Sequence, residues 1–86
     1  MATPKQVGAH WALVDTEKQP GTNDRWKARW AVHPDEATAT LAERPGTLAA
    51  LVSGSTAIFD TEGAALLTGE DDALRSEAVL SGTYRI

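Results

Sequence analysis

One alternating stretch constrains the fold more than any other: DRWKARWAVHPDE, residues 24–36. Tryptophan, alanine and valine recur at every second position, and arginine, lysine and histidine fill positions between them. A period of two that is bounded by turn residues predicts a β-strand. The apolar set should face a core and the charged set should face solvent. The inward set is Trp26, Ala28, Trp30 and Val32, and the outward set is Arg25, Lys27, Arg29 and His33.

The preceding segment, VGAHWALVD at residues 7–15, alternates in the same way, and turn residues connect it to the first stretch. The two segments therefore predict an antiparallel hairpin. We expect Trp11 to lie opposite Trp30, so that Trp11, Trp26 and Trp30 are buried on one side. A shift of one residue would move half of the large apolar side chains into water.

The middle of the chain leaves two alternatives. Pro34 followed by two acids is typical of the first turn of a helix, whereas alternating threonines favour a strand as far as residue 43. Pro45–Gly46 then predicts a turn, and a helix is expected at about 47–53, with Thr47 as its cap.

The C-terminal third also permits two interpretations. A β-hairpin is predicted around residues 60–63, with Ile58 and Leu66 among the core candidates. The acids after Gly69 then predict a helix of about eleven residues, because carboxylates stabilise a helix N-terminus. The alternative is a final strand over 77–86.

Together these elements predict one small α+β domain spanning residues 1–86. Its expected architecture is a small antiparallel sheet with an N-terminal hairpin and one or two short helices. An all-β sandwich is the alternative.

Composition excludes several classes of function. The net charge of −4 argues against nucleic-acid binding, which depends on clustered cations. No apolar run approaches the ~20 residues that span a bilayer, so no membrane association is expected. The N-terminus lacks the pattern of a secretory signal. The expected location is the cytoplasm, or the inside of a virus particle.

The chain has two histidines, His10 and His33. The predicted register places them on the same outer face, about 7–8 Å apart at the backbone. A minor metal or acid–base role is therefore one alternative function. No short metal motif and no nucleophile motif occurs, so we predict no cofactor, no metal site and no catalytic residue.

The segment AERPGTLAALVSG, residues 42–54, resembles the start of ACT domains, in which a strand ends in an R-P-G turn and a helix follows. The match covers thirteen of the 86 residues. In that family the turn and the helix N-terminus help to bind amino-acid effectors, often across a dimer. The resemblance implies a small-ligand-binding module as a second alternative. Its turn would be Arg44, Pro45, Gly46 and Thr47.

The favoured function is a non-enzymatic protein-binding or assembly subunit, a structural component of a larger complex such as a virus particle. Its partners would be other protein chains, including copies of itself. The predicted contact joins the basic strand face of one copy to an acidic run in another. The basic residues are Arg25, Lys27, Arg29 and His33, and the acids are Glu70, Asp71 and Asp72.

Overall fold

A computed structural model describes residues 3–21 and 25–82 of the chain, which form one antiparallel sheet and two helices. The four strands lie in the order β1-β2-β3-β4. This confirms the predicted α+β class with an N-terminal hairpin, and the all-β alternative is wrong. The elements are β1 (Lys5–Val7), β2 (His10–Lys18), β3 (Trp26–His33), α1 (Glu36–Ala42), β4 (Val52–Ser55) and α2 (Glu62–Leu80).

The predicted β2–β3 hairpin is present, but its predicted register is wrong. Trp11 lies opposite His33, and Val14 lies opposite Trp30. The displacement is an odd number of residues, so Trp11 falls on the opposite face of the sheet from Trp30. The prediction assumed that only one face of the sheet is buried, whereas a helix covers each face.

We name the two faces after the helices that cover them. On the α1 face, Leu13 packs against Ala39 and Ala42, and half-buried Trp11 lies against this cluster. On the α2 face, Trp30 and Ala73 belong to the second cluster. Apolar residues of β2 therefore point both ways because each of its faces has a helix to pack against.

Helix α2 begins where Thr61 accepts a hydrogen bond from the Ala64 N–H at 3.1 Å, which is an N-cap contact. Its inward positions are small: Ala65, Gly69 and Ala73 are buried against the sheet. Small side chains let the helix lie close to the strands. The larger apolar residues of α2 remain outside this contact.

Helix α1 confirms the helical alternative for the middle of the chain. Its N-cap Asp35 accepts a hydrogen bond from the Thr38 N–H at 2.8 Å. The helix predicted over 47–53 is wrong. Thr47 instead closes a turn, because its hydroxyl donates to the Ala42 carbonyl at 2.6 Å. Strand β4 follows, with the alternating burial of an edge strand.

The hairpin predicted around residues 60–63 is also wrong, since residues 62–63 form the first turn of α2. Ile58 and Leu66 are exposed rather than in the core. The helix predicted after Gly69 is confirmed, although it starts earlier and has 19 residues. A strand at residues 77–80 is wrong, and residues 83–86 lie outside the described residues.

Candidate functional site

The basic strand face predicted from the sequence has acidic neighbours directly across the β2–β3 ladder. Arg29 lies opposite Asp15, and Lys27 lies opposite Glu17. The Arg29 Nε also reaches the Glu17 Oε2 at 3.0 Å. Opposite charges on paired strands stabilise the sheet, so this surface is a mixed-charge ladder rather than a uniformly positive patch.

The other two members of the predicted basic set lie elsewhere. Arg25 is exposed, and its Nε is 3.9 Å from Asp60 Oδ1. His33 is fully buried on the α1 face. The expectation that His33 faces solvent is wrong, because its side chain has no exposed surface, and its contact with a partner stays a prediction.

The α1 face carries an open groove of about 380 Å³ beyond the end of α1. Arg29, Asp15 and Glu17 of the sheet line one side, and the turn at residues 44–47 lines the other. The turn and the basic strand are separate candidate sites in the sequence, and the structure brings them together in one groove. The N-terminal helix end that the ACT resemblance implied is absent, and the Thr47 N–H donates to the Arg44 carbonyl at 3.3 Å.

His10 and His33 lie on opposite faces of the sheet, so the structure does not bring them together. The register places His33 beside Trp11, one position from His10 in β2, and alternate residues point to opposite faces. The expectation of a shared outer face is wrong for the same reason as the register. Within residues 3–21 and 25–82, no group of three or more metal-ligating side chains converges.

His10 instead pairs with Glu77 of α2, a contact that the sequence reasoning missed. The His10 Nδ1 donates to the Glu77 Oε2 at 2.7 Å, and the Ala9 N–H donates to the same oxygen at 3.2 Å. Glu77 is only 3% exposed. The hydrogen bond from His10 lowers the pKa of the Glu77 carboxyl, although burial opposes this effect. The pair fixes the C-terminal part of α2 to the β1–β2 turn.

The buried His33 has no such partner. Neither ring nitrogen makes a hydrogen bond within the described structure. Burial lowers the pKa of the imidazole, and the nearby Asp35 carboxylate opposes that shift. A lowered pKa keeps the ring neutral at neutral pH.

The predicted acidic run is on α2, on the opposite side of the sheet from Lys27 and Arg29. Glu70 Oε2 is 4.0 Å from Lys5 Nζ, and Asp71 Oδ2 is 2.9 Å from Arg75 Nη2. Asp72 is half-buried. Local cations thus accompany the first two acids.

A second groove, which we call the β1 groove, lies between β1 and α2 and has a volume of about 410 Å³. Its lining is mainly apolar, and Leu66 and Leu74 of α2 form one wall. Together with Leu67 they make a leucine stripe: Leu66 is 37% exposed, Leu67 69% and Leu74 51%. The amphipathic pattern of α2 is inverted, with small residues toward the sheet and leucines toward solvent.

Comparisons with models of protein families, with curated proteins and with solved structures found no match to this chain. Over the described part of the chain, neither helix has the length and apolar character needed to cross a membrane.

Proposed function

We propose that this protein is a non-enzymatic protein-binding or assembly subunit, and that the leucine stripe with the adjoining β1 groove is its main contact surface. The observation that carries this proposal is the inverted packing of α2. The helix turns Ala65, Gly69 and Ala73 toward the sheet and its leucines outward.

Large exposed apolar side chains beside an apolar groove are typical of an interaction site. Burying a Leu side chain contributes about 1.5–3 kcal/mol, and Leu67 and Leu74 leave much of that contribution unused in the isolated chain. A partner that covers both would recover it. The groove beside them supplies the concave shape that a partner side chain can fill.

The experiment is affinity capture from cells that express the chain, with wild type compared with Leu67→Glu. The matched control is Leu41→Glu, because Leu41 is 74% exposed but lies on α1, away from the β1 groove. We expect a specific partner protein with wild type and the control, and none with Leu67→Glu. Equal capture by all three chains would contradict the proposal.

A finer version of the proposal makes the chain a component of a larger particle, such as a virus. In that version the mixed-charge ladder and the acids of α2 contribute a second contact between copies. The two surfaces lie on opposite faces of the sheet, so a contact between them would be head-to-tail, joining different surfaces of two copies. The double variant Lys27→Glu with Arg29→Glu should weaken such a contact. If association is unchanged, the mixed-charge ladder stabilises the sheet and does not contact another copy.

The groove beside the turn at 44–47 favours one alternative, a small-ligand-binding module. Arg29 and Arg44 supply cations there, and Asp15 and Glu17 supply carboxylates. A ligand carrying both signs of charge would fit this lining. Calorimetry with free amino acids tests the idea, with Arg44→Ala as the comparison, and absence of heat at millimolar ligand would remove it.

A further inference from the structure

We infer that the partner covering the leucine stripe is a second copy of this chain, with the two α2 helices lying antiparallel beside each other along the β1 grooves. This inference rests on the proposed function and adds the identity of the partner. Three features of the described residues support it: the width of the sheet, the position of the leucines and the charges at the rim.

The sheet is wider than the helix that covers it. Strands lie about 4.8 Å apart and packed helices about 8–10 Å apart, so one helix covers about two strands. Helix α2 packs mainly on β2 and β3. A second helix packed beside α2 would lie along β1, where the β1 groove is open. Each copy therefore has room for one more helix and carries one suitable helix.

The leucine stripe is self-complementary about a two-fold axis. If the axis passes between residues 70 and 71, an antiparallel copy places Leu67 opposite Leu74 of the other chain, and the reverse contact follows by symmetry. A two-fold interface uses the same patch on both copies. The groove that receives these side chains has Val7 and Ala73 in its lining, so both sides of the contact are apolar.

Two of the acids near the axis are paired with cations within each copy. Lys5 lies 4.0 Å from Glu70 at the rim of the β1 groove, and Arg75 lies 2.9 Å from Asp71. These two carboxylates would repel their symmetry mates without these cations. With them, each of the two pairs is neutral, and Lys5 of one copy can pair with a carboxylate of the other.

The test is the mass of the pure protein by light scattering across a concentration series. We expect a dimer for wild type and for Leu41→Glu. Leu67→Glu and Leu74→Glu should each raise the dissociation constant by about 100-fold, as expected for truncation or charging of a central contact. Circular dichroism should show that every variant keeps its helix content.

Cysteine cross-linking gives a second, geometric measurement, because the chain has no native cysteine. Leu67→Cys mixed with Leu74→Cys should form a disulfide between the two chains. Leu67→Cys alone should form the disulfide slowly. In the antiparallel dimer, the two copies of residue 67 are seven positions apart along the helices. Equal rates for the mixed and single samples would overturn the antiparallel arrangement.

The failures of the two proposals are distinguishable. A pure wild-type chain that stays monomeric at millimolar concentration overturns self-association. The capture experiment then decides the proposed function separately, because a different partner would still be lost with Leu67→Glu. A dimer that survives Leu67→Glu and Leu74→Glu also overturns the inference, since its interface must lie elsewhere.

Discussion

Among the described residues, two polar side chains are buried, those of His33 and Glu77. They differ in their hydrogen bonding. Glu77 accepts hydrogen bonds from the Ala9 N–H and from His10, so its charge is compensated. His33 has no partner for either nitrogen. A buried unpaired group costs free energy, and protonation of this one would cost more, because a charge would be buried beside α1.

The first prediction concerns pH. Burial lowers the pKa of His33 in the folded chain. As the pH falls below about 6.5, the unfolded chain therefore binds a proton at His33 that the folded chain does not bind. The free energy of unfolding should therefore decrease below that pH and stay level above it, as far as His33 is concerned. In His33→Leu this component should disappear. Urea unfolding of both proteins between pH 8 and 5.5 checks it, and identical slopes would contradict it.

Glu77 responds in a separate, more acidic window. Its hydrogen bond with His10 lowers the pKa of the carboxyl below the ordinary value of 4.5. The stability that it contributes is complete above that value and is lost as the pH falls through the lowered pKa. The His33 and Glu77 components can thus be separated by pH alone.

The second prediction tests the contact between Glu77 and the β1–β2 turn. Gly8 has φ +57°, and an added Cβ would clash with Glu77 Oε1. Gly46 has φ +89° with nothing within 4 Å of its Cβ position. Both Ala substitutions should cost about 1 kcal/mol for the left-handed backbone, but Gly8→Ala should cost about 1–3 kcal/mol more, because the buried carboxylate loses hydrogen bonds. Equal costs in thermal unfolding would mean that Glu77 simply moves aside.

At the scale of the element, α2 depends on how closely it approaches the sheet. A Cβ added at Gly69 would lie 2.7 Å from the Ala28 Cβ and 2.9 Å from a Val14 methyl. A Cβ added at Gly63, in the first turn of the same helix, would have nothing within 4 Å. At Gly69 the helix therefore lies too close to the sheet for a larger side chain.

The third prediction compares these two glycines. Gly63→Ala should stabilise the protein by up to about 1 kcal/mol, because alanine has the higher helix propensity. Gly69→Ala should destabilise it by about 1–3 kcal/mol despite the same gain, because overpacking displaces the helix. Denaturant unfolding of the two variants should give opposite signs. A stabilising Gly69→Ala would contradict the packing described here.

The sequence predicted elements well where the local signal was strong. Strand β3 has a strict period of two, and the residues after Gly69 have good helix chemistry; both predictions were confirmed. The wrong predictions concern segments whose secondary structure is decided by tertiary contacts. Residues 47–53 contain helix-forming leucine and alanine, yet the Leu51 N–H donates to the Val32 carbonyl at 2.9 Å, and β4 follows as the fourth strand.

At the scale of the whole molecule, the candidate site could be predicted only in part. The Pro45–Gly46 turn and the charged strand were visible in the sequence, but their common groove depends on the register. The leucine stripe was missed because a leucine in a helix is ordinarily assigned to the core. No local pattern reveals that alanine and glycine occupy the inward positions of α2 instead.

The last prediction follows from the small side chains that fill both cores. In the described part of the chain, seven of the ten buried apolar residues are alanines, and Trp30 is by far the largest. Truncation of such a residue costs about 3–5 kcal/mol, whereas a chain of 86 residues has a total stability of roughly 4–13 kcal/mol. Trp30→Ala should therefore remove a large part of the total stability, measured as a lower midpoint of urea unfolding. Trp11→Ala should cost less, since Trp11 is half-buried on the α1 face, and α2 with its leucine stripe should keep its place on the other face. If the two variants lose the same stability, the α1 cluster contributes as much to folding as the α2 cluster does.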